Sequence, residues 1–420
     1  MRVLLLGGGG REHAIGWKLV QSPKLDVLIS CPGNPGLAEL GVVVPDVDPT
    51  DAAAIIKLVE ANSIDLVIIG PEEPLAAGIA DALTEVAVAV FGPSRSGAQL
   101  EASKSFAKDV MAGAGIPTAA CETFTDAKLA KEHLAQSDGP YVVKANGLAA
   151  GKGVLVTESF QDASAWVDEC LDGRFGSRDA SVVIEEYMDG EEVSVFFLCA
   201  DGVAVPFEPA RDYKRLEDGD QGPNTGGMGS YSPVGDLPGD LVEWTTEQVA
   251  LPTLSELKRR GIPYTGFLYV GLMLTINGPR VLEFNVRLGD PETQALMPRL
   301  SSDLLDAIDA ATRGALSYVD LRWTDTATVN VVLAADGYPI APRKGDEIDL
   351  GTPTEGTTVF HAGTSRDGDR LVTAGGRVLN VVGTGDTISE ARMNAYATAA
   401  TIKFTGKRFR TDIGAIRRDS

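Results

Sequence analysis

The sequence predicts a multidomain protein that mixes α/β and α+β units. Three observations carry that prediction. Residues 1–100 alternate short apolar runs with helical stretches, the pattern of a small parallel α/β domain. Residues 118–290 are instead rich in strands paired across glycine-containing turns. From about residue 325 the chain changes again, to strands and turns followed by one helical stretch, a small α+β unit. The boundaries this suggests are 1–102, 103–324 with a subdomain at about 118–188, and 325–420.

In residues 1–100, strands are expected at 3–6, 27–30, 42–44, 66–69 and 88–91, and helices at 11–21, 51–61 and 75–85. Thr50 is suited to cap the second helix and Pro74 to start the third. Residues 95–115 read as one or two helices. The next unit runs strand 121–124, helix 126–135 capped by Thr125, strand 141–144, a glycine-rich loop, strand 154–157, helix 162–171 and strand 182–186. A larger antiparallel sheet follows, with strands 193–199 and 203–207, a helix near 240–260 and a hairpin over 265–286 turning at Asn277-Gly278. Helix 304–312 closes that unit, and strands 328–334, 359–363 and 378–382 with helix 389–402 build the last.

Composition narrows the function. Hydrophobic residues at 44% and charged residues at 23% are ordinary for a globular protein. A net charge of −22 argues against a nucleic-acid partner, so any phosphate must bind at a locally basic site. Four scattered cysteines read as buried thiols, and three histidines argue against zinc. No apolar run approaches a membrane span and no signal-like segment opens the chain, so no membrane partner and a cytoplasmic location are expected.

Five stretches carry candidate chemistry. Gly7-Gly8-Gly9-Gly10-Arg11-Glu12-His13 follows the first strand, where backbone N–H groups at a helix start can meet a phosphate, or where the chain simply turns tightly. It is not a dinucleotide fingerprint, because Glu12 stands where the third glycine is needed. Glu72 follows the fourth strand, at the sheet edge that binds ligands in open parallel sheets. Lys144-Ala-Asn-Gly-Leu-Ala-Ala-Gly-Lys-Gly153, with Gly151, Lys152 and Gly153, reads as a glycine-rich hairpin flap over nucleotide phosphates, not as a Walker A loop. Glu185-Glu186-Tyr187-Met188 resembles a hinge whose backbone reads an adenine edge with Met188 as an apolar face, and Glu192 beyond it suits ribose hydroxyls. Between 211 and 229 runs a long glycine-rich loop without expected structure, read as a clamp that orders on substrates.

The stretch from Val281 to Glu292 organises the rest. Its alternation predicts a strand with Leu282, Phe284 and Val286 facing a core and Glu283, Asn285 and Arg287 sharing the other face. Oxygen donors of that kind suit Mg²⁺ bound together with phosphates, and Arg287 suits a transferred phosphoryl group. Gly289-Asp290-Pro291 then turns the chain and presents Asp290 and Glu292. A solvated strand face before an ordinary turn would show the same pattern.

Together these segments resemble one family: GGGGREHA from Gly7, GPEEPL from Gly70, LEASKSF from Leu100, KANGLAAGKGV from Lys144, IEEYMDGEE from Ile184, GPNTGGMGSY from Gly222, YTGFLYVGL from Tyr264, EFNVRLGDPE from Glu283 and FHAGT from Phe360. In this order they resemble the phosphoribosylamine–glycine ligases, also called glycinamide ribonucleotide synthetases, an ATP-grasp family. The resemblance implies an N-terminal pre-ATP-grasp domain, an ATP-grasp domain with its flap, and a small C-terminal domain. It implies ATP, glycine and 5-phosphoribosylamine as substrates in the second step of purine biosynthesis, with Mg²⁺ or Mn²⁺ as cofactor and other purine-pathway enzymes as conceivable partners. It implies Lys104, Lys144, Gly151, Lys152, Gly153, Glu185, Glu186, Met188 and Glu192 at ATP, and Glu283 and Asn285 at the metal. Arg287, Lys144, Asp212 and Lys214 would be catalytic. Gly8, Gly9, Gly10, Glu72, Asp212, Lys214, Asn224, Thr225, Gly226, Gly227, Arg287, Gly289, Asp290 and Glu292 would meet glycine or the ribosylamine. Three positions depart from the usual pattern: Asn146 for Asp, Gly8 for Asn and Leu288 for Phe. A different carboxylate–amine ligase, a dinucleotide oxidoreductase and a non-catalytic nucleotide sensor are the competing readings.

Overall fold

The structure is a computed structural model that describes residues 1–149, 152–175 and 180–415. Its N-terminal sheet is parallel, with strands ordered Val42–Val43, Val27–Pro32, Arg2–Gly7, Leu66–Ile69, Ala89–Phe91. The order in which strands are added to the sheet reverses between Arg2–Gly7 and Leu66–Ile69, which stay parallel, so the loops leaving these neighbours flank one crevice. The glycine-rich turn and Gly70-Pro71-Glu72 are those two loops. Both faces of these strands are buried, with Val3, Leu4, Leu5 and Leu6 fully so, which explains their unbroken apolar run.

Local capping differs from the expected pattern in three places. Asp51, not Thr50, caps helix Ala52–Asn62, because its carboxylate accepts from Ala54 N, while Thr50 bonds Asp48. Asp126, not Thr125, caps Ala127–Leu134. The helix expected over 75–85 is two, Glu72–Ala77 and Ile79–Glu85, broken at Gly78 with φ +86, and Pro74 lies inside the first of them. Ser103 divides 95–115 into Arg95–Ala102 and Lys104–Ala114 and caps the second through Phe106 N.

The flap subdomain is a four-stranded antiparallel sheet, Cys121–Phe124, Val182–Glu185, Tyr141–Ala145, Val154–Thr157, backed by helices Ala127–Leu134 and Phe160–Leu171. The larger sheet orders Val203–Pro206, Glu191–Ala200, Thr265–Thr275 and Gly278–Asn285, all antiparallel. Its faces join the N-terminal domain in shared cores: Leu268, Val270 and Phe284 with Leu4, Leu6 and Ile69 on one side, Phe196, Leu198 and Phe267 with Leu5, Ile68 and Phe91 on the other.

The long loop is not structureless. Arg211–Asp212 pairs with Gly229–Ser232, which pairs onto Ala327–Ala334 and so extends the C-terminal antiparallel sheet of Ala327–Ala334, Arg377–Gly385 and Thr357–His361, and Arg215–Glu217 pairs with Gln221–Asn224 as a hairpin. Such short pairings bury too few apolar side chains to show as alternation in the sequence. Helix Ile388–Thr401 packs on that sheet through Ala391, Ala395 and Ala399. Among the described residues, no helix is long and apolar enough to cross a membrane.

Candidate active site

The three units meet at the end of strand Gly278–Asn285. Phe284 and Val286 are buried there as alternation requires. Leu282 departs from the expected pattern. The register slips between Gly271 and Leu272, which face Glu283 and Val281, leaving Leu282 as the extra residue of a bulge. Val281 takes the core position, and Leu282 turns to pack with Ala119, Met188 and Met273 in a small apolar patch. Glu283, Asn285 and Arg287 share a side, with Arg287 Nη2 donating to Asn285 Oδ1 at 3.2 Å.

Lysines approach this row from three elements. Lys104 opens its helix and reaches the base of the flap, Nζ to Gly147 O at 3.0 Å. Burial lowers its pKa, opposed by Glu283. Lys144 pairs with Glu185 at 2.9 Å, and Glu185 also meets Lys108 at 3.3 Å. Lys108 donates to Thr118 Oγ1 and Ala119 O as well, fixing the patch around Met188. Lys214 pairs with Glu192. Burial would raise the Glu283 carboxyl, but Lys214, Lys144 and Lys104 outweigh it and hold it below the usual carboxylate range. Asp212 and Glu292 have too little such compensation: burial raises both, assisted for Asp212 by Glu192 and Glu283 and for Glu292 by Asp212.

At the flap base, Asn146 donates to Ser105 Oγ at 3.0 Å and Ser181 Oγ at 2.9 Å and accepts from Ser105 N at 3.3 Å. Here an amide can donate where a carboxylate cannot, which gives the departure at this position a physical basis. Gly153 O accepts from Ala145 N, and Lys152 reaches Pro339 O in the C-terminal domain at 3.2 Å. Gly151 lies outside the described residues. Glu186 is at the rim, paired with Arg280 at 2.8 Å.

Arg287 is held from the N-terminal domain. Its Nη2 meets Glu101 Oε1 at 2.7 Å and its Nε meets Glu72 Oε2 at 3.2 Å. Burial works to raise the Glu72 carboxyl, yet Arg287 and Arg11 overcome it and bring it down to about 2. Burial prevails at Glu101, whose carboxyl is pushed up to about 7 despite Arg287. Glu12 fills the space between the two crevice loops, accepting from Gly9 N at 2.7 Å and from Arg11 Nε at 2.5 Å. The neighbouring glycines are crowded by protein. A Cβ at Gly8 would lie 2.4 Å from Gly33 O, and one at Gly10 would lie 2.4 Å from Asn380 Nδ2 and 2.5 Å from Gln294 Nε2.

The C-terminal domain closes the remaining side. Asp290 accepts from Gln294 Nε2 at 2.7 Å and faces Arg377 Nη2 at 3.3 Å; Arg377 also donates to Asp290 O and Gly226 O. Gly226 N donates to Tyr338 Oη at 2.9 Å. Thr225 bonds Lys214 O through both its N–H and its hydroxyl, and Gly227 N donates to Thr225 Oγ1, so this turn positions Lys214. Asn224 ends the hairpin strand that faces Arg215. Glu292 begins helix Glu292–Leu296, and Gly289 is packed against its carboxylate.

Sequence reasoning missed Glu101, Lys108, Arg11, Tyr338 and Arg377. Lys108 stands one helical turn beyond Lys104, a spacing that would have flagged it. Arg377 and Tyr338 come from the C-terminal unit, where no local pattern points to the cleft.

Among the described residues, no group of three or more His, Cys, Asp or Glu side chains could hold a metal by itself. The Glu283 carboxylate and Asn285 carbonyl are hard oxygen donors. They fit Mg²⁺ or Mn²⁺ arriving with phosphate oxygens and water, since Mg²⁺ commonly binds through one or two carboxylates plus substrate phosphates.

Comparison with known proteins agrees with this architecture. Family models for the phosphoribosylglycinamide synthetase N domain, ATP-grasp (A) domain and C domain match residues 1–101, 102–293 and 328–416. The chain is 48% identical over 415 residues to phosphoribosylamine–glycine ligase of Rhizobium meliloti, covering 99% of this chain and 98% of that one. It is 46% identical over 422 residues to the enzyme of that name from Streptomyces coelicolor, covering 99% of each. The crystal structure of the Thermotoga maritima phosphoribosylamine–glycine ligase superposes with a TM-score of 0.87 at 39% identity, over 98% of this chain and 100% of that one. The biotin carboxylase domain of Hydrogenobacter thermophilus 2-oxoglutarate carboxylase, solved with ADP and magnesium, shares the fold at a TM-score of 0.73 and 16% identity, over 97% of this chain and 91% of that one. With all three family domains matched in order, the chain belongs to the phosphoribosylglycinamide synthetase family.

Proposed function

We propose that this protein joins glycine to 5-phospho-β-ribosylamine, converting ATP to ADP and phosphate and yielding glycinamide ribonucleotide. The observation that best supports this is the row Glu283, Asn285, Arg287 facing Lys104, Lys144 and Lys214, which gathers four cations beside hard oxygen donors in a chain of strongly negative net charge. The adenine lies against Met188, Leu282, Met273 and Ala119, with Glu185, Glu186 and Glu192 around it. Lys104 and Lys144 neutralise the phosphates, and the flap with Gly151, Lys152 and Gly153 covers them. Glu283 and Asn285 hold Mg²⁺ or Mn²⁺, which when bound neutralises phosphate charge.

A glycine carboxylate oxygen attacks the γ-phosphorus, and the bond to the β–γ bridging oxygen breaks, its electrons leaving with ADP. Arg287 stabilises the transferring group, so that positioning and charge neutralisation carry the step. The ribosylamine nitrogen then attacks the acyl carbon of glycyl phosphate. The carbon–oxygen bond to phosphate breaks, and the nitrogen loses a proton. Asp290 or Glu292 holds the glycine ammonium. Asp212, Lys214, Asn224, Thr225, Gly226 and Gly227 hold the ribosylamine together with Gly8, Gly9, Gly10, Glu72 and Gly289. Water must be excluded because the acyl phosphate hydrolyses.

Glycine labelled with ¹⁸O in its carboxylate tests the route. One label should appear in the released phosphate. Phosphate without label would rule out carboxylate attack on ATP.

A further inference from the structure

We infer that Glu101 is a positioning residue for the reaction, holding Arg287 and its strand in the geometry that phosphoryl transfer needs. The inference rests on the role proposed above for Arg287. Glu101 sits in the last turn of helix Arg95–Ala102, at the junction of the N-terminal domain with the ATP-grasp domain. One of its oxygens accepts from Arg287 Nη2 at 2.7 Å, and the other accepts from Val286 N at 2.9 Å. A single carboxylate thus fixes both the guanidinium and the backbone one residue before it.

Nothing else about the position favours a carboxylate. Its side chain is only 8% exposed, the C-terminal end of a helix repels negative charge, and Glu72 adds a second carboxylate nearby. Arg287 and the Val286 N–H are the groups that bond it, and Arg11 and Lys104 add only longer-range attraction. Glu72 differs, because its side chain is 21% exposed and it also faces Arg11 at 3.8 Å. It can release Arg287 to an arriving anion and keep Arg11, whereas Glu101 is enclosed and keeps its hold.

The test is a double-mutant cycle on the full chain, with kcat, KM for ATP and thermal stability measured for Glu101→Gln, Arg287→Ala and the pair. Glu101→Gln keeps the shape and an acceptor for Val286 N but puts an amide NH2 where Arg287 Nη2 needs an acceptor. The expected result is a loss of about 10- to 100-fold in kcat, the scale of a small misplacement of a catalytic group, with KM for ATP little changed. Added to Arg287→Ala it should cost nothing further, because two residues that act as one are non-additive. Glu101→Asp, which keeps the charge but withdraws it by one methylene, should also slow the enzyme and serves if the glutamine variant does not fold. An unchanged rate in both Glu101 variants, or losses that multiply in the pair, would overturn the inference. A full rate in Arg287→Ala alone would instead overturn the role given to Arg287.

Discussion

At Gly10 a methyl group would collide with two buried amides, Asn380 Nδ2 and Gln294 Nε2. Both are buried side-chain ends, and Gln294 Nε2 is tied to Asp290 Oδ1 at 2.7 Å, so Gly10→Ala should destabilise the protein by about 1–3 kcal/mol, read from urea unfolding. The glycine run was legible as a special loop; its reason was not, since the crowding partners lie in distant parts of the chain. Asn146 makes the opposite point. Its departure from the acid that the resemblance implies stood out in the sequence, and its two serine partners are visible only in three dimensions. Asn146→Asp should cost about 1 kcal/mol, a typical net value for a lost hydrogen bond, by the same measurement. No change would show that the serines reorganise freely around it.

Strand alternation from Val281 to Arg287 was readable because period two is a strong signal, and it correctly set Glu283, Asn285 and Arg287 together. The bulge that redirects Leu282 was not readable, because an extra residue declares itself only against a partner strand. The loop between 211 and 229 shows the same limit on a larger scale. Its hairpin is fastened by the C-terminal segment: Arg410 pairs with Asp220 at 2.8 Å and Asp412 at 2.6 Å, and Thr411 N donates to Asp218. Arg410 is fully buried while Asp220 is more than half exposed. Removing one partner of a buried pair costs about 3–5 kcal/mol, and the exposure of Asp220 pulls Arg410→Leu toward the lower end. The variant should also raise KM for the ribosylamine more than for ATP, because the hairpin carries Lys214. Equal effects on both would show that the segment supports the fold alone.

Across the whole molecule, the N- and C-terminal units meet through two histidines. His361 N donates to His13 Nδ1 at 2.8 Å, and the His361 ring bonds Thr364 at 3.0 Å. Burial, with the nearby His361, lowers His13 from 6.5 to about 3; burial, with Arg366, lowers His361 to about 4. The unfolded chain therefore binds protons below pH 6.5 that the folded chain refuses. The stability these groups contribute is complete above that pH and is lost as pH falls toward their folded values. His361→Gln should lose less melting temperature than the parent on going from about pH 7.5 to about pH 5. An identical loss would mean that His361 is not among the groups responsible.

The three-part organisation was legible because each unit has its own pattern. The contacts that join the units, Arg287 to Glu101 and Arg377 to Asp290, were not, because such pairs leave no local trace. The central claim is that these units together assemble one ligase site for ATP, an amino-acid carboxylate and a ribosylamine. It is tested most directly by ADP release with Mg²⁺, ATP, glycine and freshly prepared 5-phosphoribosylamine, leaving out each in turn. The account predicts release that requires both glycine and the amine. ATP binding with ADP release indifferent to both would contradict it.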